Sequence, residues 1–434
     1  MDGLPHELLY LIINHLDTPS RAALARTSRR YYGIALPHVY TNISIRNNRV
    51  WTIRYPSFVQ AIAQRPELGA AVQSLSLTAW AIEDDAERAA GRGREPYMAR
   101  CNIDLFKELV REQPELFGQP EMWDRALEAR NMDAFLAVIL PRLTNLKSLA
   151  IEYFYHGTGT LFEKVVERGA ERGLLFPRLE QVYITWYDTE NGVITDKAIP
   201  FFSFPAMRRV GGGQVKKSCR DHSRNPKAVC ISGVTEFDLL QSNCNGLIEW
   251  IELCRELKSF RLVYGGAAVS FDRYAPVSFR DELALHKTSL EKLWIEPDEN
   301  GFRGEAEWIG SWVDYTKLRV LCLRLATLVE LDEEEKPLRE LGDLVPASLE
   351  CLALLECGEE EWIWLPGQIE GMIINGRTPR LNALIIGGYR PERLSQATEA
   401  FKKVRQLCEE ANISLKWDMD YLYEIWPANV GRGR

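Results

Sequence analysis

Several things are scarce in this sequence, and each scarcity removes a class of protein. No apolar run is long enough to span a bilayer. The opening stretch "LPHELLYLIINHL" (Leu4 to Leu16) is no signal peptide either: it lacks a basic leader and is interrupted by His6, Glu7, Asn14 and His15. Positive charge is in deficit, with 53 Lys plus Arg against 61 Asp plus Glu and a net charge of −8, which argues against bulk attraction to nucleic acid or to a membrane. Cysteines with paired spacing are missing; the nine present are an odd count scattered from Cys101 to Cys408, which suits a reducing compartment, cytosol or nucleus, better than a disulfide framework.

Signals of catalysis are thin as well. The glycines of "GGGQVKKS" fail the G-x-x-x-x-G-K-[ST] spacing of a phosphate loop. Cys219 and His222 stand at C-x-x-H without a second close ligand pair, a weak zinc candidate and more simply loop residues. None of the six histidines has a sequence neighbour that suggests an activated nucleophile, and the acidic runs at Leu331 to Lys336 and Gly358 to Trp362 read as solvated loops. The expectation is a non-catalytic chain with no cofactor and no metal. Its 12 tryptophans are expected to fill core or groove.

What is present begins with the apolar start. Pro5 suits a first helical turn and Glu7 favours the helix dipole there, so a helix is predicted from about Pro5 to Leu16. Leu8, Ile12 and Leu16 form one stripe, Leu9 and Ile13 a neighbouring one, and Leu11 points elsewhere, so the apolar surface exceeds one face. Thr18 followed by Pro19 reads as an N-cap opening a second helix through "SRAALARTSRRYY", and "ALPHVYTNI" as a third. Three small helices make a marginal core that usually needs a partner, and the surplus on the first helix is then a docking surface. Residues 1–54 carry seven arginines against Asp2, Glu7 and Asp17, a local charge of +4 that would favour an acidic partner.

"LPHELLYLIINHL", "DTPSRAALARTSRRYYGIAL" and "PHVYTNI" together resemble an F-box of the fungal type across roughly the first 46 residues. The resemblance implies binding to the Skp adaptor of a cullin-based SCF ubiquitin ligase, with Leu4, Pro5, Leu8, Ile12 and Leu16 on the family's characteristic adaptor-binding positions. The sequence departs from the family at "DTPSR", where Arg21 stands near an expected leucine, and the contact expected there is weakened. The other reading of the segment is a helical cap on the remainder of the chain.

Beyond this segment the chain repeats itself. A pattern L-x-x-L-x-L, allowing other apolar residues, recurs as "VQSLSL", "LKSLAI", "LEQVYI", "VTEFDL", "LKSFRL", "LEKLWI", "LRVLCL", "LECLAL" and "LNALII", with a weaker copy "MRRVGG". Its fourth residues are Leu75, Leu149, Val182, Val210, Phe237, Phe260, Leu293, Leu321, Leu352 and Leu384, and after a first gap of 74 the steps run between 23 and 33 residues. Alternation within each copy predicts a half-buried strand, and segments such as "FEKVVERGAERG" and "LIEWIELCREL" between copies have helical spacing. Each strand-loop-helix unit buries its faces only when the next stacks on it.

This resembles a leucine-rich-repeat solenoid over about Val72 to Leu415, an α/β fold with a curved parallel sheet. A stack of short helical repeats is the runner-up. The Asn or Cys usual three residues beyond the last strand leucine is present only as Cys357. The predicted organisation is an F-box-like helical domain at 1–46, linker helices at 47–71, the repeat domain at 72–420 and a tail at 421–434. Two segments interrupt the period. "AIEDDAERAAGRGREP" reads as a loop followed by helices through "LFKELV" and "MWDRALEARNMDAFLAVIL"; "RRVGGGQVKKSCRDHSRNPK", with local charge +6, reads as a solvated loop or as a binding loop for an acidic or phosphorylated partner.

Strand alternation points the residue between two core positions to the opposite sheet face. That rule places Tyr183, Asp238, Arg261 and Trp294 in one row, read either as an open surface that binds a target protein or as core covered by the C-terminal segment or a long loop. The function expected is a substrate-recognition subunit of an SCF-type ligase that holds the Skp adaptor, and through it a cullin, at one end and an unknown target at the other. An adaptor-bound scaffold outside any ligase and a solenoid receptor for a small molecule are the alternatives.

Overall fold

The computed structural model describes residues 4–46, 51–78, 100–153, 160–186, 192–216, 232–242, 247–265, 276–297, 308–334, 336–358, 360–388 and 397–417. Two compact units divide the chain: Met1–Tyr187 with Lys197–Met207, and Asp188–Asp196 with Arg208–Arg434. No described helix is long and apolar enough to cross a membrane.

The first unit opens with α1 (His6–His15), α2 (Thr18–Ala25) and α3 (Arg29–Val39). The cap of α2 is Asp17 rather than Thr18, because its carboxylate accepts the Ser20 N–H at 2.9 Å. Ser28 accepts the Tyr31 N–H and starts α3, so "RRYY" belongs to the third helix, not the second. The expected helical end at "TNI" is instead a strand, β1 (Asn42–Arg46), followed by α4 (Trp51–Gln64), α5 (Pro66–Ala71) and β2 (Ser74–Thr78).

The stretch expected to be one helix after Met122 breaks into Pro120–Glu128 and Met132–Ile139. Arg130 takes φ 59° between them and the Asn131 side chain caps the second piece. That piece is buried on all sides, which makes it the central helix of the unit. Asp133 on it, 2% exposed, accepts the backbone N–H groups of Leu161 and Phe162, while Thr160 and Glu163 form a capping box; together they satisfy the start of helix Leu161–Arg172. The strands β3 (Ser148–Tyr153) and β4 (Gln181–Trp186) complete the parallel order β1-β2-β3-β4 in this unit. Residues 81–96, read as a loop, lie outside the described residues.

The second unit pairs β5 (Val193–Ile194) with β7 (Val215–Lys216) and stacks β6 (Arg209–Gly213), β8 (Glu236–Ser242), β9 (Ser259–Tyr264), β10 (Lys292–Pro297), β11 (Val320–Arg324), β12 (Cys351–Cys357), β13 (Ala383–Gly388) and β14 (Ser414–Lys416), all in parallel. The part of the basic segment that is described is therefore sheet, with Gly211 to Gly213 buried, and residues 217–231, including Cys219 and His222, lie outside the described residues.

The register is the same at each step. Leu75 pairs with Leu149 and Leu149 with Val182 in the first unit; in the second, Val210, Phe237, Phe260, Leu293, Leu321, Leu352 and Leu384 pair in succession. The structure adds Ile43 before Leu75 and Leu415 after Leu384, two repeats that the sequence pattern did not reveal. One carbonyl per repeat fixes this register by accepting two N–H groups from the next: Lys258 O from Glu291 and Lys292, Glu291 O from Arg319 and Val320, Arg319 O from Glu350 and Cys351. Phe237, its ring centroid 5.9 Å from that of Trp250 on helix Leu247–Leu253, shows which face of the sheet the helices cover.

Strands leave the sheet of the second unit by a shared corner. Gln214, Gln241 and Glu356 take φ between 47° and 57°, and the residues after the last two, Ser242 and Cys357, follow a register shift in their strands. The Ser242 hydroxyl accepts the Val215 N–H at 3.0 Å and donates to Leu240 O at 2.9 Å. Ser242 thus fills the place held by Cys357 in its own repeat, three residues past the last strand leucine, where only a Cys or Asn was sought.

His286, 2% exposed, accepts the Leu257 N–H on Nδ1 and bonds Ile251 O through Nε2 at 3.1 Å, which requires the neutral ring with its proton on Nε2. Burial lowers its pKa below 6.5 despite the bond to Ile251. The unfolded chain therefore takes up a proton that the fold refuses, and His286 should cost the second unit stability as pH falls through about 6.5. Urea unfolding followed by tryptophan fluorescence at pH 7.5 and 5.5 is expected to show a flatter pH dependence for His286→Gln than for the parent; equal slopes would assign the proton uptake elsewhere. Leu321 and Leu323 are both fully buried whereas Lys317 is exposed. Leu321→Ala should cost about 2–5 kcal/mol and lower the melting temperature, with Lys317→Ala near neutral; equal tolerance would contradict the register.

Candidate functional site

The three-helix start has a small core of Leu9, Ile13, Ala25, Tyr31, Ile34 and Ala35, with Leu4 and Leu24 packed against it. This uses one stripe of α1 and leaves the others outside: Leu8 is 46% exposed, Leu11 58% and Ile12 39%. Leu8, Leu11 and Ile12 stand at i, i+3 and i+4, a continuous apolar face adjoining the core-facing stripe. Tyr10 and Tyr32 add exposed rings on α1 and α3.

Of the five expected adaptor-binding residues, Pro5, Leu8 and Ile12 are exposed, Leu16 is half-buried, and Leu4 is partly spent on the internal core. Leu11, Tyr10 and Tyr32 were not in the expected set. For Leu11 the signal was present, since its spacing from Leu8 places it beside Ile12.

Arg21 has an internal task. Its Nε donates to Ile13 O at 2.9 Å, one terminal nitrogen to Asn14 O at 3.1 Å and the other to His38 O at 3.2 Å. The guanidinium thereby satisfies carbonyls at the end of α1, where the dipole favours a cation, and ties that end to α3. His38, tilted against Tyr10 at 5.5 Å between ring centroids, has its pKa lowered by burial and then by the Arg21 charge. Arg30 fixes the other end by donating to Leu4 O at 2.7 Å.

The expected target-binding row is aligned but not open. Asp238 pairs in register with Arg261 and Arg261 with Trp294, as alternation requires. Arg261 sits 3.7 Å from the Asp238 carboxylate and its guanidinium carbon lies 4.2 Å from the centroid of the Trp294 ring. Yet Asp238 is 5% exposed, Arg261 1% and Trp294 0%, so the expectation that they face solvent does not hold. Alternation decides which face a residue points to; it says nothing of whether that face is covered. Tyr183 belongs to the first unit, half-buried on β4 beside Ala150. The buried row continues as an apolar stripe of Trp294, Val320, Cys322, Cys351, Ala353, Leu355, Ala383 and Ile385.

Among the described residues no cluster of His, Cys, Asp and Glu is arranged to hold a metal. Asp332 in the first acidic run accepts the N–H groups of Glu334 and Lys336, which makes it a turn. The described cysteines are buried, and burial pushes the thiols of Cys101 and Cys408 up to about 11 and that of Cys351 to about 12, away from nucleophilic use.

These features define a chain built for contact between proteins: an unpartnered helix face near its start and a parallel repeat sheet after it. A family model described as F-box-like matches residues 1–46, and a leucine-rich repeat domain model matches residues 155–363. No curated protein matches the chain. The chain has the arrangement of an F-box protein with a carboxy-terminal leucine-rich repeat domain.

Removing the Arg21 ties should loosen α1 without touching its outer face. Arg21→Ala is expected to destabilise the three-helix segment by about 2 kcal/mol, since charge-assisted hydrogen bonds contribute roughly 1.5–3 kcal/mol and these are partly exposed. Hydrogen exchange of α1 amides reads this, and unchanged protection would show that the helix is held by packing alone.

Proposed function

We propose that this protein is the substrate-recognition subunit of an SCF-type cullin ubiquitin ligase. The helices of residues 4–39 bind a Skp-type adaptor, and through it a cullin, while the repeat domain presents a target protein. The observation that carries this reading is the exposed face of Leu8, Leu11 and Ile12, which runs beside the buried stripe of Leu9 and Ile13. A helix whose apolar surface is wider than its core contact needs cover on the remainder. Burying those three half-exposed side chains would contribute on the order of 1 kcal/mol each.

The protein then contributes proximity and no bond-breaking step: by holding the ligase through one end and the target through the other, it makes ubiquitin transfer effectively intramolecular. Pro5, Leu8, Leu11 and Ile12 are the residues proposed to touch the adaptor, with Leu16 at the margin and Leu4 acting through the core. Arg21 and Arg30 position α1 rather than make the contact.

Co-expression with a Skp adaptor tests this reading. Leu8→Asp combined with Ile12→Asp places two carboxylates where an apolar surface must desolvate them, and adaptor copurification should be lost. The helix itself should survive, since Leu9 and Ile13 are untouched, and far-ultraviolet circular dichroism checks that it does. Normal yield of the adaptor with the double mutant would remove α1 as the docking element.

A further inference from the structure

From β10 to β13 the core position that sets the register is the same residue in every repeat: Leu293, Leu321, Leu352 and Leu384. Earlier strands of the second unit differ there in size, with Val210, Phe237 and Phe260, and the two phenylalanine rings meet edge to face at 6.1 Å between centroids. Identical leucines cannot tell a repeat which neighbour to stack on, since each fits the place of the next. Mis-stacking, within one chain or between two, is the characteristic failure of repeat folds.

The rim of the sheet does differ at these repeats. The residue whose carbonyl accepts two N–H groups from the next repeat is Lys258, Glu291, Arg319 and Glu350 in succession, so the sign of its side chain alternates at every step. Lys258 and Arg319 are exposed, Glu291 and Glu350 half-buried. Arg319 forks onto Glu350, with Nε donating to Oε1 at 2.9 Å and a terminal nitrogen to Oε2 at 2.8 Å. Those bonds and the Glu350 charge raise the pKa of Arg319, and Glu291 adds to this from the repeat before; Arg319 in turn holds the Glu350 carboxyl below its ordinary range, with a further contribution from Arg380. In the repeat of Phe237 the same place is held by the neutral Thr235.

We infer that this row of alternating charges specifies which repeat stacks on which. Neighbouring strands lie about 4.8 Å apart, inside the roughly 8 Å over which exposed charges act at physiological salt. In the native order each member of the row stands beside one of opposite sign. Skipping one repeat would set Lys258 beside Arg319 and Glu291 beside Glu350, and a second copy docked with one repeat skipped would meet the same two repulsions. An exposed ion pair adds little to stability, so the row acts by penalising the wrong stack more than by strengthening the right one. This inference does not depend on the ligase reading.

Refolding the full chain from urea, with monomer and oligomer fractions separated by size-exclusion chromatography and light scattering, tests it. Arg319→Gln with Glu350→Gln removes two charges from a solvated rim. The melting temperature should stay near the parent's while the oligomer fraction rises about fivefold, the factor that one exposed pair is worth at the upper end of its range. Arg319→Glu with Glu350→Arg keeps the pair but sets a carboxylate beside Glu291 and a guanidinium near Arg380, so mis-assembly should be at least as great. Adding Lys258→Glu, Glu291→Lys and Arg380→Glu inverts the whole row and restores alternation, and the monomer yield should return to the parent's.

A parent-like monomer yield for the double glutamine variant would overturn the inference, since the row would then carry no information about neighbours. A melting temperature that falls in step with that yield would mark plain loss of stability and overturn it as well. So would a fully inverted row that refolds no better than the exchanged pair, because the order of signs, not the identity of each residue, is the device. Should the exchanged pair fail to fold, the glutamine variant and the full inversion still decide.

Discussion

One apolar position, repeated, governs most of this molecule. Wherever the pattern L-x-x-L-x-L recurs, its fourth residue is set against the fourth residue of the next copy, and a backbone carbonyl just before each strand accepts two N–H groups from its neighbour. A slip of one residue would put Cys322 and Arg324 in the places of Leu321 and Leu323, an undersized side chain and a charge where two fully buried leucines pack, so burial and hydrogen bonding specify the same register. Repeat lengths between 23 and 33 residues are tolerated because variation falls in the connections, where chain length costs little. Each strand leans only on its neighbours, and the framework is as regular as its register.

The amino-terminal helices obey a different constraint. Their core is too small to use all the apolar surface that the sequence supplies, and the excess is gathered on one side of α1. Arg21 keeps that side presentable. By bonding the last carbonyls of α1 and one of α3, it holds the helix at a fixed angle through polar contacts, leaving Leu8, Leu11 and Ile12 uncommitted. A leucine there could pack but could not satisfy three carbonyls, so the departure at Arg21 exchanges an apolar contact for rigidity.

The ten inner repeats of the pattern, their register and the split use of α1 were legible in the sequence, because burial imposes periods of two and of 3.6 that survive irregular repeat lengths. The boundary repeats at Ile43 and Leu415 were missed, the first because "TNI" was read as the end of a third helix and the second because its strand is only three residues long. Ser242 was missed because only Asn or Cys was sought at the corner, although any small side chain that both accepts and donates can serve. The cap fell one residue earlier than expected, on Asp17, whose side chain accepts the Ser20 N–H while its carbonyl takes the Arg21 N–H. Whether the row of Arg261 and Trp294 is open or buried could be posed from the sequence but not decided, because periodicity is a property of one strand and fixes which face a residue points to, not whether that face is covered.

The central claim is that an under-buried helix docks a ligase adaptor while the repeat framework takes no part in that contact. Native mass spectrometry of the chain co-expressed with a Skp adaptor and a cullin tests it most directly. The account predicts a single complex holding one copy of each, in which the chain dissociates together with the adaptor and not with the cullin alone. A chain that flies free of both, with its Leu8 face still folded by circular dichroism, would contradict it.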